Sequence, residues 1–107
     1  MDQTQRFEAL LASGKDNAML RFSLGMHYLA AGEPARAAQH LRRAVEHDRD
    51  YSAAWKLLGK ALAAGADAAG AMAAYRSGLE AATRRGDKQA AKEMTVFLRR
   101  LEKETGS

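Results

Sequence analysis

The chain has 107 residues, of which 47% are hydrophobic and 28% charged, a balance that fits one globular domain and excludes a disordered chain. It has no cysteine, so disulfides, thiolate nucleophiles and cysteine metal sites are ruled out. The formal net charge of +4 is unevenly spread: residues 1–51 balance, and the excess lies in the second half, where Arg84, Arg85, Lys88, Lys92, Arg99, Arg100 and Lys103 gather.

Valine occurs only at positions 45 and 96 and isoleucine not at all, so strands are not expected. The opening MDQTQRFEAL lacks the basic-then-apolar pattern of a signal peptide, and no apolar run reaches the ~18 residues of a membrane span. A soluble, cytoplasmic protein is the expectation. The first helix is predicted over 3–13, stopping at Ser13-Gly14. The second covers 17–31, with Asp16 as the acid at its start, and ends at Gly32. Pro34 opens the third, 34–47, where its missing N–H leaves nothing unpaired. After Asp48 to Asp50 comes a fourth, 51–64. Within it AAWKLLGKAL places Gly59 in mid-helix, at a cost of roughly 1 kcal/mol against alanine. Gly65 to Asp67 lead into a fifth, 68–85. Gly86-Asp87 precede a sixth, 88–103, and the tail from Glu104 to Ser107 is expected to fray.

Sliding the chain against itself by 34 residues supplies the organisation. Leu24 falls on Leu58, Gly25 on Gly59, Ala37 on Ala71, Arg42 on Arg76 and Glu46 on Glu80. Val45 meets Leu79, and the acids Asp16 and Glu33 meet Asp50 and Asp67 at positions where helix caps are wanted. One helix-turn-helix unit therefore occurs twice, at 18–51 and 52–85. Residues 3–13 read as the second helix of a partial preceding unit, through Phe7, Leu10 and Leu11. Residues 87–103 carry one apolar stripe (Ala90, Met94, Phe97, Leu98, Leu101) with charge opposite, as a terminal cap requires.

These units resemble the tetratricopeptide repeat family. The second reads Trp55-x2-Leu58-Gly59-x2-Leu62, then Ala71-x3-Tyr75; the first reads Arg21-x2-Leu24-Gly25-x2-Tyr28, then Ala37-x3-Leu41. Arg21 replaces the signature tryptophan, Arg49 and Thr83 replace the closing proline, and Gly78 stands where the first unit has Ala44. The resemblance implies an all-α, right-handed solenoid of helical hairpins, about six antiparallel helices in one domain over 1–107, the last a cap. It also explains Gly59, which lies where the two helices of a unit cross closely.

Catalytic chemistry finds no footing. His40 and His47 are seven residues apart on one helix, about 10 Å, which is too far to share a metal. With His27 on another helix, all three read as solvated surface histidines. No serine sits in a nucleophile elbow, and AAGADAAG lacks the lysine and preceding strand of a phosphate loop. No catalytic residue, metal or cofactor is expected.

The family resemblance implies a concave face lined by the first helix of each unit. Met19, Phe22, Met26 and Leu29 would lie there from one unit, and Ala53, Lys56, Lys60 and Ala63 from the next. Such a groove, apolar at one end and basic at the other, suits a peptide or helix of a partner protein. Two other readings stay open for these residues: Phe22 and Met26 packed against the partial first unit, and Lys56 and Lys60 as plain solvated lysines. The family's clamp for a C-terminal carboxylate is not expected, since Phe22 and Met26 occupy its lysine and asparagine places and Leu57 another asparagine place. Two alternative functions remain. One is nucleic-acid binding through the basic half, against which no aromatic residue interleaves the charges. The other is self-association, in which a second copy continues the solenoid from the edge left at 3–13 to give a homodimer.

Overall fold

The structure, a computed structural model, describes residues 1–106. Six helices follow in order: α1 (Gln3–Ala12), α2 (Ala18–Ala30), α3 (Pro34–His47), α4 (Ser52–Ala64), α5 (Ala68–Arg85) and α6 (Lys88–Thr105). Each predicted helix is present, and no strand occurs among the described residues. The last helix runs beyond the expected stop. Glu104 and Thr105 are helical, and Gly106 closes the helix in the left-handed conformation that glycine adopts without strain. Ser107 of the expected frayed tail lies outside the described residues.

Local signals explain most of the boundaries. Asp2 and Gln5 form a reciprocal capping box on α1, and the side chains of Asp67 and Asp87 accept from the N–H groups of Gly70 and Ala90 at the starts of α5 and α6. At α2, however, the cap is Asn17, whose Oδ1 accepts from Leu20 N at 2.8 Å; at α4, Tyr51 takes the cap position without a side-chain bond. Asp16 and Asp50, which align at the expected cap positions, instead form ion pairs with Arg21 and Arg84. Glu33 stands at the cap of α3 but makes no capping bond.

α2 with α3 and α4 with α5 form two hairpins, and α1 and α6 cover the ends. The core is built where the helices of each hairpin cross. A Cβ on Gly25 would run into Leu41, and one on Gly59 into the ring of Tyr75. Leu41 is fully buried and Tyr75 nearly so, so neither has room to move aside. Burial pushes the Tyr75 hydroxyl up to about 12. The unfavourable helix propensity of Gly59 is thus offset by close approach, as its recurrence at the period requires.

The stack bends in a definite direction. The backbones of α2 and α4, and of α4 and α6, approach each other, whereas those of α1, α3 and α5 stay apart. Helices that touch along one layer and splay along the other curve the stack toward the touching layer. The splayed side is opened by two small clefts, of about 150 Å³ over Trp55, Leu58 and Ala74 and about 170 Å³ over Ala38, Ala61 and Leu62.

Candidate functional site

The inner layer consists of α2, α4 and α6, and their starts at Ala18, Ser52 and Lys88 set the register. The spacing lengthens from 34 to 36 residues because α5 has 18 residues against 14 in α3, while the following connection is shorter. With that register, Phe22, Lys56 and Lys92 form one row and Met26, Lys60 and Val96 another. Sequence reasoning missed the third member of each row because it carried the period of 34 through to α6. A shift of 36 would have found them, since it lays Ala90 on Ala54 and Met94 on Leu58, and all four are buried.

The structure places the expected residues as follows. Met19 is 73% exposed and Met26 46%, both open to solvent on α2. Phe22 is half-buried, its ring 5.0 Å from that of Tyr51 at the start of α4, so its ring partner is the next hairpin and not the partial first unit. Leu29 and Ala63 are half-buried against the core, and Ala53 is half-buried at the start of α4. Lys56 is not a plain solvated lysine: its Nζ donates to Glu93 Oε1 of α6 at 3.0 Å. Lys60 is exposed with its ammonium 5.1 Å from the centre of the Phe97 ring, a cation–π contact. The inner layer therefore runs from exposed methionines on α2 to lysines engaged by α6. Val96 at 49% exposure is the one large apolar side chain open on the last helix.

On the outer side, a polar network stitches α1, α2 and α3. Arg21, in the signature tryptophan's place, donates to Asp16 through Nε at 2.8 Å and Nη2 at 2.9 Å. His47 Nε2 also contacts Asp16, at 2.9 Å. Arg21 Nη1 lies 3.1 Å from His40 Nδ1, and a guanidinium can only donate, so Nδ1 accepts and Nε2 carries the proton toward Glu8, 3.4 Å away. The Tyr28 ring stacks on His40 at 5.4 Å, and its hydroxyl donates to the same Glu8. The expectation of three solvated histidines fails here. His40 is largely buried, and that burial pushes its pKa down, favouring the neutral ring. His27 is half-buried too, edge-on to Phe7 at 5.4 Å; only His47 is on the surface.

The hydrogen bond from Arg21 holds the Asp16 carboxyl well below the usual carboxylate range, with His47 adding to it. A depressed folded-state pKa contributes stability that is present above the unfolded value and lost as pH falls through the folded one. The advantage of the wild type over Asp16→Asn is therefore expected to be constant near neutrality and to shrink below about pH 4, the ordinary aspartate range. Denaturation curves of the two proteins across pH check this; a difference that persisted unchanged into strong acid would contradict it.

Among the described residues, no three histidines, aspartates or glutamates are grouped to hold a metal ion, and no helix is long and apolar enough to cross a membrane.

A family model for the tetratricopeptide repeat matches residues 18–61. A TPR repeat-containing protein of Pseudomonas aeruginosa is 60% identical over 96 residues, covering 90% of this chain and 91% of that one. A solution structure of a protein from Bordetella parapertussis superposes with a TM-score of 0.82 at 51% identity, over 97% of this chain and 90% of the other.

Proposed function

The chain belongs to the tetratricopeptide repeat family, and on that premise we propose that it is a non-catalytic adaptor holding a peptide or helix of another protein against the inner layer. Membership supports a protein-interaction module, and proteins of this family are generally non-catalytic scaffolds. The finer reading adopts the division into a partial unit at 3–13, repeats at 18–51 and 52–85, and a cap at 87–103. Its partner-binding residues are Met19, Phe22, Met26, Leu29, Ala53, Lys56, Lys60 and Ala63.

The observation that carries it is the placement of Met19 and Met26. Unbranched thioether side chains left open on the touching layer are well suited to an adaptable apolar contact. The lysines beyond them suit carboxylates on the same ligand. A double variant, Met19→Asp and Met26→Asp, changes only exposed side chains, so the fold should survive. Affinity capture from native extract is expected to recover a partner with the wild type and lose it by tenfold or more with the variant, as truncation of a hot spot does. Recovery of the same proteins by both would overturn the groove assignment.

A further inference from the structure

On α6 the charges are sorted by side. Two of its acids flank the buried face and are engaged by neighbouring helices: Glu93 accepts from Lys56 at 3.0 Å and Glu102 from Arg76 Nη2 at 3.3 Å. Lys88, Lys92, Arg99, Arg100 and Lys103 all point outward, exposed, and none is in an ion pair among the described residues. At about 100° per residue these five cations fall within roughly 120° of the helix surface, with no carboxylate between them. In the middle of that stripe lies exposed Val96. Beside it opens a shallow depression of about 230 Å³, lined by Gln89, Lys92, Glu93, Val96 and Phe97. Like charges on one helix face repel unless acids are interspersed; here Glu93 and Glu102 are engaged by Lys56 and Arg76, Glu104 lies outside the stripe, and the five cations make no ion pair among the described residues.

We infer that the outward stripe of α6 docks an acidic peptide segment of a partner protein, with one apolar side chain of that segment seated beside Val96. The inference rests on the adaptor reading above and supplies the chemistry of the partner, but it does not require the methionines of α2. Charge complementarity selects the class of occupant. Five cations over about 22 Å of helix match a run of side-chain carboxylates, and the small apolar socket takes a side chain that phosphate ligands lack. A nucleic acid would find no open aromatic ring to stack on: Phe97, the aromatic residue of this helix, is half-buried between Tyr75 and Lys60. A membrane surface would find one valine where an interfacial helix offers a broad apolar face.

The test uses the full chain, isotopically labelled, and three probes at low salt: a short glutamate-rich peptide with one central leucine, an oligothymidylate, and phosphatidylserine vesicles. The peptide is expected to bind best and to shift the amide signals of Lys92 to Arg100. A Lys92→Glu, Arg100→Glu variant, folded by circular dichroism, should bind it about tenfold more weakly. Exchanging the peptide's leucine for serine should cost a few-fold more. Tighter binding of the oligonucleotide or the vesicles at the same amides would overturn the assignment of an acidic peptide. Peptide-induced shifts confined to Met19 through Met26 would overturn the α6 stripe while leaving the groove reading intact. Shifts on α6 together with a partner capture indifferent to Met19 and Met26 would overturn the groove reading and support the stripe. No binding of the peptide would overturn the inference.

Discussion

Replacing Leu41 by alanine is expected to lower the unfolding free energy by about 3 kcal/mol, within the range for emptying a fully buried leucine site. Leu41 has no exposed surface, and its terminal carbons fill the space directly over Gly25, where α2 and α3 cross. The glycine has no side chain with which to collapse into the gap, so the cavity should persist. In a small domain this corresponds to a fall in thermal midpoint of more than about 10 °C. Calorimetry or thermal circular dichroism would measure it. A loss below about 1 kcal/mol would mean that the hairpin crossing is not the structural centre described above.

The second large effect runs against intuition about helices. Gly78 lies within α5, where exchanging glycine for alanine normally gains about 1 kcal/mol of helix propensity. Here a Cβ would meet the sulfur of Met94 and, at 2.7 Å, the Cβ of Trp55. The methionine can bend away, but the Cβ of Trp55 is fixed to the backbone of α4, so two helices must separate. Overpacking of that kind costs about 1–3 kcal/mol and here combines with the loss of Met94 packing against α5. Gly78→Ala is expected to destabilise the protein by about 2 kcal/mol net, read from urea midpoints at constant slope. A stabilised variant would show that α4, α5 and α6 do not meet at this point. The position accounts for glycine in the second unit: at Gly78, α4 and α6 both press on α5 closely enough to leave no room for a Cβ.

How much of this was legible beforehand depended on whether the cause was local or tertiary. Gly25 and Gly59 were legible because a close crossing demands a small residue at one place, and the period puts both there. Pro34 and Asp67 were legible because a helix start is decided within a few residues. The roles of Asp16 and Asp50 were not, since their recurrence fits a cap or an ion pair equally well, and only the distance to Arg21 or Arg84 decides. His40 misled for the same reason: helix spacing says nothing about Tyr28 stacking over it. The candidate site was legible on α2 and α4, where the period holds. It was lost on α6, because four extra residues in α5 and a shorter connection move Lys92 and Val96 into rows that a fixed period assigns to Ala90 and Met94.

The central claim is that partners meet the layer of α2, α4 and α6 and not the splayed layer behind it. Site-specific photocrosslinking in living cells tests it most directly, with a benzophenone side chain placed in turn at Met19, Met26 and Val96, and at the exposed outer positions Arg42 and Ala73. The account predicts a shared crosslinked partner from the first three positions and little or nothing from the last two. Crosslinks from Arg42 and Ala73 with none from Met19, Met26 or Val96 would contradict it and move the binding surface to the outer clefts.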